Sequence, residues 1–166
     1  IGLIETYYFT EDFIDLIKKC SKYKFIIIGR SKKSNISQYI ECNKLNIEYY
    51  TNLDSFKLMD YVKKCKYILC RRYPFQTKRF TGAISLGITF HKILIIQEKY
   101  NCGYKTPSII FKEKYTEIID ELNNITDEEY NDKVNKMIKY SIELREKNKY
   151  NMSNIIKEIK SNIILK

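Results

Sequence analysis

Two short stretches of the chain, Phe25-Ile-Ile-Ile28 and Ile93-Leu-Ile-Ile96, are apolar at every position, and each ends abruptly, at Gly29 and at Gln97. A strand points successive side chains to opposite faces, so a strand with one wet face alternates apolar and polar residues. An unbroken apolar run needs cover on both faces, the situation of a strand inside a parallel sheet flanked by helices. Between the runs the apolar spacing changes to the helical period. A short strand over residues 1–4 precedes a helix over 10–20, capped by Thr10, with Phe13, Ile14, Leu16, Ile17 and Cys20 on one face. Residues 36–45 read as a helix and 46–50 as a strand. Asp54 or Ser55 then caps a helix whose Phe56, Met59 and Val62 face inward. A strand over 66–70, a charged loop over 71–80, a helix from Thr81 to about Phe90, a strand over 92–97, a loop over 98–107 and a strand over 108–111 follow.

Beyond residue 111 the pattern is helical only. One helix covers about 113–122. Thr126 and Glu129 form a capping box for a helix to about Lys147, with Tyr130, Val134, Met137, Ser141 and Leu144 on its inner face. A final helix over 151–164 is expected to bury Ile155, Ile156, Ile159 and Ile163. Strands alternating with helices across short loops call for a mostly parallel sheet, doubly wound in three layers, with the closing helices as an addition. No repeat, linker or internal boundary divides residues 1–166, which are expected to form a single domain.

Composition narrows the classes. No apolar run approaches the ~18–20 residues that span a bilayer, and Glu5, Glu11 and Asp12 interrupt the first apolar stretch, unlike a signal peptide. The start at Ile1 suggests a piece of a longer protein. The five cysteines, Cys20, Cys42, Cys65, Cys70 and Cys102, are odd in number and never spaced C-x-x-C, which speaks for small buried hydrophobes in a reducing cytoplasm. The formal net charge of +10 favours anionic partners. Much of it belongs to a usage heavy in Ile, Lys, Asn and Tyr, with no Trp, of the kind an AT-rich viral or protozoan genome writes. The sequons at Asn35, Asn124 and Asn151 are chance in such a chain.

In an open parallel sheet ligands sit beyond the carboxyl ends of the strands, so the loops there are where chemistry belongs. Gly29-Arg30-Ser31 is basic but carries no G-x-G-x-x-G fingerprint. Thr51-Asn52-Leu53 can present backbone groups to a nucleobase, although Asp54 as a plain helix cap needs no ligand. The loop over 71–83 carries Arg71, Arg72, Lys78 and Arg79 ahead of a helix that opens Thr81-Gly82-Ala83. Unpaired amides and the positive dipole end of a helix start attract phosphate, small residues let it approach, and arginines add bidentate contacts. Glu98 and the sole histidine, His91, both read as structural or surface residues. No Ser/His/Asp set, metal-ligand spacing or Walker loop is present.

The order of elements, through Asn46-Ile-Glu-Tyr-Tyr-Thr-Asn-Leu53, Cys65-Lys-Tyr-Ile-Leu-Cys70 and the segment Thr81-Gly-Ala-Ile-Ser-Leu-Gly-Ile-Thr-Phe-His-Lys92-Ile-Leu-Ile95, resembles the C-terminal, donor-binding domain of GT-B glycosyltransferases. The resemblance covers nearly the whole chain in topology and is loose in sequence. Where that family carries glutamates spaced E-x7-E, the stretch from Gln76 to Ile84 holds no acidic residue; His91 stands where Gly is usual and Ile93 where Pro is usual. The resemblance implies a Rossmann-like domain that binds a nucleotide-diphosphate sugar. Thr81, Gly82 and Ala83 would hold the diphosphate, Arg72, Lys78 and Arg79 would balance its charge, and Gly29, Arg30, Ser31, Thr51, Asn52 and Leu53 would line the nucleotide. It implies no metal or other cofactor, an N-terminal acceptor-binding domain outside this chain, and no turnover without that domain. The charge and the Tyr-rich loops leave a nucleic-acid-binding module open, and the missing glutamates a non-catalytic interaction domain.

Overall fold

The structure is a computed structural model, and it describes residues 2–3, 9–30, 36–70, 82–101 and 103–164. Strands and helices alternate: β1 (Gly2–Leu3), α1 (Glu11–Lys19), β2 (Phe25–Arg30), α2 (Ile36–Cys42), β3 (Ile47–Thr51), α3 (Ser55–Lys64), β4 (Tyr67–Leu69), α4 (Gly82–Thr89), β5 (Ile93–Gln97), α5 (Glu98–Asn101) and β6 (Ile109–Phe111). A 3₁₀ turn (Tyr115–Ile118), α6 (Ile119–Asn124) and α7 (Asp127–Ile164) complete the chain. Among the described residues every strand pairing is parallel, in two three-stranded sheets ordered β1-β2-β3 and β4-β5-β6. The protein is therefore an α/β protein built on parallel sheets, as the apolar runs demand.

The alternation along β5 shows why its run is unbroken. Ile93 and Ile95 join a core with Leu16 of α1, Cys20 just past its end, Ile109 and Phe111 of β6, and Ile118, Ile119 and Leu122. Leu94 and Ile96 point the other way, into a core with Val62 of α3, Ile68, Ala83, Ile84 and Ile88 of α4, and Met137 of α7. All five residues of β5 are buried. The other run, in β2, is covered less evenly: Phe25 and Ile27 pack toward Phe9, Ile17, Ile36, Ile40 and Leu45, whereas Ile26 is 39% exposed. Phe13 and Phe25 touch both this core and the one under β5, so α1 and β2 bind the two sheets to a shared interior.

Helix ends follow their chemistry. Asp54 caps α3 by accepting from the Lys57 amide at 2.9 Å. Thr126 and Glu129 form the expected reciprocal cap of α7: the Thr126 amide donates to Glu129 Oε2 at 2.9 Å, and the Glu129 amide donates to Thr126 Oγ1 at 3.2 Å. Thr10 precedes α1 in extended conformation but makes no side-chain cap bond.

Several expectations need correction. The two closing helices are one, the 38-residue α7; its segment between them holds no Gly or Pro, and a helix there needs no apolar side chain because it touches no body. Ile155 and Ile156 are accordingly exposed, at 49% and 46%, rather than buried. The helix expected over 113–122 divides into the 3₁₀ turn and α6, and the loop expected over 98–107 begins with α5. Of the cysteines, Cys20 and Cys70 are buried, Cys65 is half-buried and Cys42 is exposed, and none of the four is in a disulfide; Cys102 lies outside the described residues.

Candidate functional site

Within each sheet the parallel pairing sets all carboxyl ends on one side. Register places Gly29 opposite Thr51, and the Asn52 amide donates to the Gly29 carbonyl at 3.0 Å, so the ends of β2 and β3 are tied together. Asn52 holds a left-handed backbone, φ 53°, which turns the chain sharply into the α3 cap at Asp54. Thr51 and Asn52 are exposed and Leu53 is half-buried. The structure thus brings Gly29, Thr51, Asn52 and Leu53 to one place, with Arg30 next in the chain. Ser31 lies outside the described residues.

Just before this turn, the Tyr50 hydroxyl donates to Glu48 Oε2 at 3.1 Å and its ring lies 4.7 Å from that of Tyr61. The Tyr61 hydroxyl and then the Glu48 carboxylate hold the Tyr50 phenol well above its ordinary range. Tyr50 therefore supplies a neutral hydroxyl here, not a base.

In the second sheet α4 opens at Gly82. Among the described residues, a Cβ built there meets no atom within 4 Å, so the space over Gly82 is open to them. Ala83 is buried in the core against β4 and β5, and only its backbone can serve a ligand. Arg72, Lys78, Arg79 and Thr81 lie outside the described residues.

The end of β5 holds polar residues that sequence reasoning passed over. Gln97 is 5% exposed; its Nε2 donates to the Lys112 carbonyl at 2.7 Å, while its Oε1 is buried with no hydrogen-bond partner among the described residues. Beside it in sequence Asn101 and Thr106 are buried and bond one another. Asn101 Oδ1 accepts from the Thr106 amide at 2.9 Å and from Thr106 Oγ1 at 2.7 Å, and Asn101 Nδ2 donates to the Thr106 carbonyl at 3.2 Å. The Tyr140 hydroxyl of α7 donates to the Tyr104 carbonyl. These bonds fix the loop after β5. The available signal was an apolar run closing on an amide, Gln97, instead of on Gly.

His91 stands before β5, at its amino end, away from this side. Its Nε2 lies 3.2 Å from Ser141 Oγ of α7, a bond that joins helix to sheet and fits the structural role expected of it. Glu98 begins α5. A groove of about 530 Å³ lies elsewhere, between the start of β6, α6 and α7, and both of its lysines are paired: Lys133 with Glu121 at 3.1 Å and Lys136 with Asp132 at 2.6 Å. Among the described residues no three His, Cys, Asp or Glu side chains are grouped to hold a metal ion, and no helix is long and apolar enough to cross a membrane.

Fold and strand-end geometry define an α/β protein with parallel sheets whose loops at the carboxyl strand ends are the place for a ligand. Comparison of the chain with protein-family models, with curated proteins and with solved structures finds no match.

Proposed function

We propose that this chain is the donor-binding domain of a GT-B-like glycosyltransferase, with its parallel sheets doubly wound in three layers and its ligand a nucleotide-diphosphate sugar. The observation that carries the reading is the open first turn of α4 at Gly82, which follows a loop of four cations. Backbone amides at a helix start suit a diphosphate, and no described atom stands above Gly82. The buried, unpartnered Gln97 Oε1 supports it, since such an acceptor costs about 1–3 kcal/mol unless something donates to it. It stands at the ligand-bearing end of β5 and suits a sugar hydroxyl.

In this scheme the Gly82 and Ala83 amides and Thr81 hold the diphosphate, and Arg72, Lys78 and Arg79 offset the charge that develops on the leaving nucleotide. Gly29, Arg30, Ser31, Thr51, Asn52 and Leu53 border the nucleoside. Cationic side chains take the part of a metal, an N-terminal domain supplies acceptor and base, and the protein works in the cytoplasm.

Thermal shifts against UDP, GDP, ADP and CMP, each with its sugars and at two salt concentrations, test this. A rise with one nucleotide diphosphate that is lost in an Arg79→Ala, Thr81→Val double variant supports donor binding and names the base. Absence of any such rise, beside tight, salt-sensitive binding of oligonucleotides, sinks it in favour of the nucleic-acid module that the +10 charge favours. Silence in both assays leaves a fold kept for its protein partners.

A further inference from the structure

Alternation along β5 sends Ile93 and Ile95 to the side of α1, and Leu94 and Ile96 to the side of α4. Gln97 is next in the series and falls on the side of Ile93 and Ile95. It closes the strand at its carboxyl end and is 5% exposed, so its amide lies inside the protein. Its register partner is Phe111, whose ring centre stands 4.8 Å from that of Tyr115, and both rings are buried.

The amide is held in one orientation. Its Nε2 donates to the Lys112 carbonyl at 2.7 Å. That segment is fixed in turn, because the amides of Lys112, Glu113 and Lys114 all donate to the Glu117 carboxylate. Turning the Gln97 amide over would set Oε1 against the Lys112 carbonyl, acceptor against acceptor, and bury an unpaired donor instead. On the other flank, the loop after β5 is closed by the Asn101–Thr106 bonds and by the Tyr140 hydroxyl on the Tyr104 carbonyl. Oε1 is thus buried, fixed and without a hydrogen-bond partner among the described residues. The core it adjoins is apolar, with Ile95, Ile109 and Phe111. A neutral donor suits such a place better than an ammonium, whose charge a single amide dipole does not offset.

We infer that Gln97 Oε1 accepts from one hydroxyl of the donor's sugar, and so makes the site prefer a nucleotide-diphosphate sugar to the bare nucleotide diphosphate. The inference rests on the reading of this chain as a donor-binding domain, and it divides that site in two. The diphosphate stands at Gly82, where Ala83, Ile84 and Ile88 of α4 pack with Leu94 and Ile96. The sugar crosses the end of the sheet to the opposite side, that of Ile93 and Ile95. An acceptor already desolvated and fixed discriminates well, since a ligand without the matching donor leaves it orphaned. Bare nucleotide diphosphate leaves it so.

The test is calorimetric titration of the whole chain with the nucleotide diphosphate that thermal shift singles out and with its sugar conjugates, set against Gln97→Met. Methionine is about as long as glutamine and carries no strong acceptor. The variant should bind the best nucleotide sugar roughly tenfold more weakly and the bare nucleotide diphosphate as the parent does. A deoxy-sugar conjugate without the contacted hydroxyl should bind parent and variant alike. Without ligand, Gln97→Met should melt at or above the parent, because the bond it loses is to the carbonyl of the exposed Lys112, which water can take over. A folded variant that melts several degrees lower overturns the inference, since Oε1 is then satisfied in the free protein, by buried water or by the chain. Equal loss on nucleotide and nucleotide sugar overturns it as well, and so does no loss on either; in both cases the donor-domain reading stands. A parent that binds no nucleotide diphosphate overturns that reading and the inference with it. Should Gln97→Met fail to fold, Gln97→Asn, which draws the amide back by one methylene, replaces it in the titrations, with the same split between nucleotide and nucleotide sugar expected.

Discussion

Gly82 and Gly87 lie on one short helix and face opposite requirements. A Cβ on Gly87 would stand 2.1 Å from Leu94 Cδ2 and 2.9 Å from its Cγ, and Leu94 is fully buried on β5, with core on every side to resist its movement. Overpacking of this kind costs about 1–3 kcal/mol, of which the better helix propensity of Ala returns somewhat under ~1 kcal/mol. Gly87→Ala should lower Tm, by about 2–4 °C for each kcal/mol lost in a chain of this size. Gly82→Ala meets nothing, so it should leave Tm within a degree or so of the parent at roughly ±0.5 kcal/mol and weaken nucleotide-diphosphate binding, which thermal shift with and without ligand reads directly. A fall in Tm with Gly82→Ala would show that the first turn is not open. Glu117 makes a different demand, on pH. It accepts from the amides of Lys112, Glu113 and Lys114 at 2.8, 3.0 and 2.8 Å, and these bonds hold its carboxyl below its ordinary value of 4.5. The folded form is the one that binds its proton less readily, so this contribution is complete above pH 4.5 and fades as pH falls through the lowered value. Tm measured from pH 6 down to pH 3 should show Glu117→Gln less stable than the parent at the upper end and the two converging at the lower; a constant gap would refute the assignment.

At the scale of elements, local chemistry decides where helices start and distant contacts decide where they stop. The Thr126–Glu129 reciprocal cap was legible in sequence, because its two bonds span residues three apart and need nothing else. Thr126→Ala should cost about 1 kcal/mol, and pairing it with Glu129→Ala should cost less than the sum of the two, since either removes the bond from the Thr126 hydroxyl to Glu129 Oε2 at 3.1 Å; strict additivity in denaturant unfolding would count against a reciprocal cap. The run of β5 was legible for a similar reason: its four apolar residues serve two cores in alternation. Less of the site could be read. Gly82 announced itself by being small at a helix start behind cations, and Asp54 by its place before an apolar face. Gln97, Asn101 and Thr106 did not, because their burial follows from how α5 folds the loop back and from the Tyr140 hydroxyl on α7, thirty-six positions from its partner Tyr104. Apolar spacing ends the first helical stretch near Lys147, where the helix itself does not end. In α7 backbone bonding continues where side-chain packing has ceased.

For the molecule as a whole, the unequal cover of the strands sets an order of stability. β5 has core on both faces and neighbours on both edges, so its amides open only when the molecule unfolds. β2 is also flanked on both edges, but Ile26 is 39% exposed on one face. β3 pairs with β2 alone among the described strands, and its residues are at best half-buried. The overhang of α7 has no body beneath it, and an unsupported helix of that length is marginal in water. Native-state hydrogen exchange on dilute protein should therefore rank the amides of β5 slowest, then those of β2, then those of β3, with residues 145–164 fastest. Slow exchange over 145–164 would mean that the helix is held by contacts of its own chain.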